Sequence, residues 1–136
     1  MDAMTDLLTL GQDFLGRQPF SQLLEAELLE MDQGRAVIHV PIRPDSYQQH
    51  GFVHGGLISY LADNALTFAG GSMYGDAVTV EFKINYLRPA TGTALRATAV
   101  VENAGRSQAV VRCTVESIQD DTTKTVAVAQ GTIARK

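Results

Sequence analysis

His54-Gly55-Gly56-Leu57-Ile58-Ser59-Tyr60-Leu61-Ala62-Asp63-Asn64-Ala65-Leu66-Thr67-Phe68-Ala69-Gly70-Gly71-Ser72 is the stretch whose reading decides the fold. Set at 100° per residue, Leu57, Ile58, Leu61, Ala62, Ala65, Phe68 and Ala69 fill one apolar arc, so the segment reads as a long helix with a face to bury. The opposite side carries Gly56, Ser59, Asp63, Thr67 and Gly70, where a solvated helix would show Lys, Glu and Arg. So small a stripe admits a close neighbour, either a partner subunit's helix or strand or a ligand laid along the helix. A lone carboxylate in such a seam is expected to be desolvated, which makes Asp63 a functional candidate. The most apolar part of the segment, Leu57 to Ala69, is short for a membrane span and holds Asp63 and Asn64 at its middle, which excludes a transmembrane helix here.

Downstream, four segments alternate with period two, as half-buried strands require. Val78, Val80, Phe82, Ile84 and Tyr86 are expected on one face of the first. Leu95, Ala97, Ala99 and Val101 line the second, which closes at Asn103-Ala104-Gly105-Arg106. Ala109, Val111, Cys113 and Val115 line the third, and Asp120-Asp121 turns the chain toward Val126 and Val128 of the fourth. Upstream, residues 4–15 read as an amphipathic helix presenting Leu7, Leu8, Leu10, Phe14 and Leu15, ended near Gly16 and stopped by Pro19. Residues 22–31 favour helix by propensity, yet their closeness to Ala36, Ile38 and Val40 makes them the first arm of a hairpin turning at Asp32-Gln33-Gly34. The expected architecture is α+β: one long central helix on an antiparallel sheet of five or six strands, with a short N-terminal helix.

The chain has 136 residues, 45% of them hydrophobic, and four prolines, which fits a single domain over residues 1–136 with residues 1–18 as a helix packed on it. The one cysteine, Cys113, cannot form an internal bridge, and the start Met1-Asp2-Ala3-Met4-Thr5-Asp6 is acidic, so a cytoplasmic protein is expected. Eleven Lys and Arg against fifteen Asp and Glu give −4, which argues against a nucleic-acid partner held by a basic face. Residues 1–32 hold seven acids against Arg17 alone, leaving +2 for the remainder. Within residues 81–112, Lys83, Arg88, Arg96, Arg106 and Arg112 face only Glu81 and Glu102, enough to draw a small polyanion.

At the helix start the chain reads Gln48-Gln49-His50-Gly51-Phe52-Val53-His54-Gly55-Gly56, where glycines leave backbone N–H groups open at the positive end of the helix dipole. Such a terminus takes an anion or a developing oxyanion. With a carboxylate elsewhere as base or nucleophile, these are the minimum parts for acyl transfer. Other chemistries fit less well. His50 and His54 stand four apart, but Gly51 keeps them off a shared helix face and no Glu completes a hydrolase motif, so no metal is expected. Cys113, in register with Val111 and Val115, reads as core, and no Gly-x-Ser-x-Gly elbow occurs.

These residues resemble the hotdog-fold acyl-CoA thioesterases of the phenylacetate-degradation (PaaI-like) type, whose signature runs Asn-x-x-Gly-x-x-His-Gly-Gly followed by an aspartate on the central helix. The chain has Gln48-x-x-Gly51-x-x-His54-Gly55-Gly56, then Leu61-Ala62-Asp63-Asn64, and a later segment from Val78 to Ala90 ending in Arg88-Pro89-Ala90. The resemblance spans about residues 20 to 134 and departs from the family where Gln48 replaces its usual Asn.

The resemblance implies a sheet wrapped around the central helix. It implies that the Gly55 N–H meets the thioester carbonyl oxygen, that His54 and Gln48 order the loop and the attacking species, and that Asp63 acts from the neighbouring subunit as nucleophile or general base. Thr79 takes the place of a Ser or Thr that helps hold the attacking water. Gly56, Val53, Leu57 and Tyr60 become pocket candidates, and Lys83, Arg88 and Arg106 become candidates for the CoA phosphates. A homodimer or homotetramer with interfacial sites is implied, acting on acyl-CoA without a cofactor, a metal, nucleic acid or a membrane. A non-catalytic acyl-CoA-binding module and a hotdog hydratase are the rival readings.

Overall fold

The computed structural model describes residues 6–136. Residues 4 and 5 of the expected N-terminal helix, and the acidic start before Asp6, lie outside the described residues. The central segment forms α3 (Gly55–Gly71), and six strands follow or precede it: β1 (Glu27–Asp32), β2 (Arg35–Pro41), β3 (Ala77–Tyr86), β4 (Ala94–Ala104), β5 (Gln108–Gln119) and β6 (Thr122–Arg135). They pair antiparallel in the order β1-β2-β4-β5-β6-β3, so the chain leaves α3 for the far edge of the sheet and β1 and β3 are its two edges.

The sheet curls around α3, which touches every strand from β2 to β6. Leu61, Ala62, Ala65, Leu66 and Ala69 of the helix are wholly inaccessible, and the strands facing them offer Ala97, Ala99, Ala109 and Ala127. Small side chains on both layers let helix and sheet approach closely, while Ile38, Leu66, Leu95 and Ile133 fill the space between. Each of these large residues contributes about 1.5–3 kcal/mol by leaving water. The buried arc is wider than the periodicity predicts. Leu66 joins it, and Gly70 does too: a Cβ on Gly70 would lie 2.6 Å from Cβ of Ile133, so this glycine is a contact with β6 and not part of the open stripe.

The N-terminal helix α1 (Leu7–Gly16) is capped by Asp6, whose Oδ1 accepts the Thr9 N–H at 2.7 Å. Leu15 is buried, and the Gln12 amide donates to the Leu28 carbonyl of β1 at 3.1 Å, yet Leu10 and Phe14 stay 44% and 48% exposed. Pro19 does not merely stop this helix. It opens a second one, α2 (Pro19–Leu24), at the N-terminal position where a missing N–H costs nothing. Strand β1 therefore begins at Glu27, not Gln22, after Glu25 turns the chain with φ 60°. The hairpin itself, through Gln33-Gly34, forms as expected.

Strand β3 also departs from simple alternation. A bulge between Thr79 and Glu81 shifts its phase, so Val78 and Val80 face outward at 45% and 54% exposure while Thr79, Phe82 and Ile84 turn toward α3. A further irregularity opposite Val115 and Glu116 buries both Val126 and Ala127 and leaves Val128 outside. Strands β4 and β5 keep the predicted faces. No described helix is long and apolar enough to cross a membrane.

Candidate active site

His54 is the N-cap of α3. Its Nδ1 accepts the Gly56 N–H at 2.7 Å, which requires that nitrogen unprotonated, and its own N–H donates to the Ser46 carbonyl at 2.8 Å. The Gly56 donor is thereby used. The Gly55 N–H, one residue earlier, takes no acceptor among the described residues and sits at the positive end of the helix dipole.

The loop before it is a closed turn. Tyr47 pairs with Val53, the Gln48 N–H donates to Phe52 O at 2.8 Å, Gly51 takes φ 85°, and the Gln48 Oε1 accepts the His50 N–H. The longer amide of Gln48 thus bonds within its own turn. Val53 anchors the turn by donating to Ala90 O at 2.9 Å. Gln48, Val53, Gly55, Tyr86 and Arg88 line one cleft of 410 Å³; His54, Gly56 and Leu57 line another of 330 Å³ against Phe20 and Leu23 of α2.

Asp63 is half-buried on the small stripe and held on one oxygen. Thr79 Oγ1 donates to its Oδ1 at 2.7 Å, and Thr67 Oγ1 lies 2.8 Å from Thr79 Oγ1 and 3.5 Å from the same oxygen. The β3 bulge is what turns Thr79 inward to make this contact. The other carboxylate oxygen has no protein partner among the described residues and is free to take a proton or attack.

Gly55 and Asp63 are eight residues apart on one helix, about 12 Å at 1.5 Å per residue. One chain therefore does not bring its free N–H and its carboxylate to the same carbonyl group.

Of the cations expected near an anion, Arg96 pairs with Glu116 at 2.9 Å and Arg112 pairs with Glu102, while Lys83, Arg88 and Arg106 make no ion pair among the described residues. Arg88 belongs to the cleft at Gly55, whereas Arg106 follows Gly105, whose carbonyl accepts the Tyr74 hydroxyl just beyond the far end of α3. Tyr60 points elsewhere. Its hydroxyl meets Ser21 Oγ at 2.5 Å and its ring meets Phe20 edge-on at 5.2 Å, so it packs α2 onto α3. Burial pushes this phenol above its ordinary pKa, against the opposing hydrogen bonds of Ser21 and Asn64. Cys113 is buried in the sheet, and burial pushes its thiol up to about 12, which leaves it without thiolate at neutral pH.

Residues 50–124 match the family described as Thioesterase superfamily. The chain belongs to this superfamily. The acyl-coenzyme A thioesterase PaaI of Escherichia coli is 32% identical over 82% of this chain and 78% of its own. The 1,4-dihydroxy-2-naphthoyl-CoA hydrolase of Listeria monocytogenes is 28% identical over 81% of this chain and 89% of its own. The crystal structure of a thioesterase family protein from Silicibacter pomeroyi superposes with a TM-score of 0.87 at 31% identity, covering 91% of this chain and 93% of the other. The sheet wrapped around one helix is thus the hotdog fold that the sequence resemblance implied.

Tyr86, expected from the sequence only to line one face of its strand, borders the candidate site. Its hydroxyl donates to the Gly55 carbonyl at 3.2 Å and also bonds Ser59 Oγ, and its ring lies 3.2 Å from where a Gly55 Cβ would stand. Tyr86 thus holds the Gly55–Gly56 peptide, next to the one whose N–H is free, and crowds any Cβ at position 55. An exposed tyrosine at the end of β3 carries no sequence signal of this role.

Proposed function

We propose that this protein hydrolyses the thioester of a small acyl- or aryl-acyl-CoA to the free acid and CoA, at sites shared between two subunits. The observation that carries the reading is the half-buried Asp63, braced by Thr79 and Thr67 on the same helix that presents the unpaired Gly55 N–H. Because the two groups of one chain are about 12 Å apart, each site takes its N–H from one subunit and its carboxylate from the other. Val78 and Val80, exposed on the edge strand β3, supply an apolar strip for such a pairing.

The Gly55 N–H binds the carbonyl oxygen and stabilises the negative charge that develops on it, worth about 3–4 kcal/mol for a donor so placed. His54 holds the first turn of the helix and Gln48 closes the loop before it. Asp63 follows one of two routes. As base, it takes a proton from water as the water oxygen bonds to the carbonyl carbon, and the C–S bond then breaks to release thiolate. As nucleophile, it forms an anhydride with loss of thiolate, which water then hydrolyses. In both, Thr79 holds one carboxylate oxygen so that the other faces the attacking water in the first route or the reacting carbon in the second. Arg88, beside Gly55, and Arg106 and Lys83, reached from the partner subunit, take the CoA phosphates. No cofactor is needed, and the single buried thiol suits a reducing cytoplasm.

Following free-thiol release from short, medium, long-chain and aryl acyl-CoAs tests this, with wild type beside Asp63→Asn. Turnover of a thioester, with a loss of about a hundredfold or more in folded Asp63→Asn, is expected. Tight binding of acyl-CoA with no hydrolysis contradicts it and leaves a binding module.

A further inference from the structure

A cleft of 650 Å³ runs between α1 and the C-terminal half of α3. Leu7, Leu10 and Phe14 form one wall, Met31 and Phe68 the other, and Gly71 leaves its floor open. Leu10 and Phe14 are the two large apolar residues of α1 left exposed. At one place on the α3 wall stands Thr67, the residue bonded to Thr79 and within 3.5 Å of the Asp63 carboxylate. Asp63 itself does not line the cleft, which reaches the carboxylate half of the proposed site through Thr67. Its polar walls offer no free cation among the described residues: Arg17 pairs with Asp13 at 3.0 Å and lies over the Phe14 ring at 5.0 Å.

Resting on the hydrolase reading above, we propose that this cleft holds the acyl chain of the substrate, an uncharged group of medium length that enters past Thr67. The length follows from the walls. From Asn64 to Gly71 the helix rises about 10 Å. An extended chain advances about 1.2 Å per bond, so the cleft takes roughly eight to ten carbons. With Arg17 paired, a chain ending in a carboxylate finds no partner there. The subunit that supplies Asp63 thus also selects the acyl group, and its partner supplies the oxyanion donor.

Non-hydrolysable S-alkyl-CoA thioethers of two to sixteen carbons test the assignment by equilibrium binding, beside hydrolysis of the matching acyl-CoAs. Affinity is expected to rise up to about fourfold per methylene as far as about ten carbons and then level off. Gly71→Leu fills the floor; its Cβ meets Ala77 at an ordinary 3.6 Å, and the rest of the side chain enters the cleft. The plateau should then fall to shorter chains, and the ratio of decanoyl to butanoyl kcat/KM should drop at least tenfold. Leu10→Trp narrows the same cleft from an exposed position and should move both readouts the same way. A length profile unchanged in both variants, or thioether affinity that does not grow with length, overturns the assignment even if hydrolysis is intact. The expected binding profile without hydrolysis upholds the acyl cleft and overturns the hydrolase reading alone.

Discussion

Replacing Thr79 by valine keeps the shape of the side chain and removes its hydroxyl, and with it the 2.7 Å bond to Asp63 Oδ1 and the 2.8 Å contact with Thr67. A hydrogen bond to a charged acceptor contributes about 1.5–3 kcal/mol. If the bond serves to aim the carboxylate, that energy is lost in the transition state and kcat falls by roughly 10- to 150-fold. KM should change little, because Thr79 bonds Asp63 and Thr67 and is assigned no contact with the substrate. The assay is thiol release under saturating and limiting acyl-CoA, with thermal unfolding alongside. Thr79→Ser, which restores the hydroxyl, should recover most of kcat. An unchanged kcat in Thr79→Val, or a loss that Thr79→Ser does not recover, would refute the positioning role.

Tyr86→Phe removes the hydroxyl bonded to the Gly55 carbonyl and to Ser59 but keeps the ring against Gly55. Loss of a neutral bond of about 0.5–1.5 kcal/mol predicts a twofold to tenfold fall in kcat with the fold intact, read by the same assay. Cys113 predicts a pH effect on stability. The unfolded thiol ionises from about its ordinary value of 9 upward while the buried one stays protonated to about 12, so across that window the unfolded chain binds fewer protons. Wild type should lose about 1.4 kcal/mol per pH unit relative to Cys113→Ala between those values, measured by urea unfolding; a constant difference would contradict it.

The central helix and strands β4 and β5 are legible because each buries one regular face, so the apolar period survives in the sequence. What escaped has local causes. The bulge at Thr79 depends on how β3 registers with β6, and no residue of β3 announces it; without it Val78 and Val80 would face inward and Thr79 away from Asp63. Helix α2 has six residues, too few for a period, and its Pro19 reads equally as a stop or a start. Gly70 looks like part of a small-residue stripe until Ile133 is placed against it. Tyr60 sits beside the stripe in projection, yet Ser21 and Phe20 draw it to α2, a pairing between residues 39 and 40 positions apart. For the candidate site, the small-residue stripe and the glycine-rich helix start singled out Asp63 and Gly55, and the family resemblance added Thr79 and His54, whereas the distance between donor and carboxylate needed the helix.

That distance makes the two-subunit site the central claim, and complementation tests it. Asp63→Asn removes the carboxylate, and Gly55→Pro removes the free N–H at a first-turn position that accepts proline once the exposed Tyr86 side chain shifts by a few tenths of an ångström to clear its Cβ. Each variant alone, shown folded by circular dichroism, should lose at least about a hundredfold in thiol release. Refolded together at equal amounts, half the random dimers are mixed and each holds one intact site of two, so about a quarter of wild-type activity should return. Mixed dimers verified by mass spectrometry that remain inactive would contradict the account.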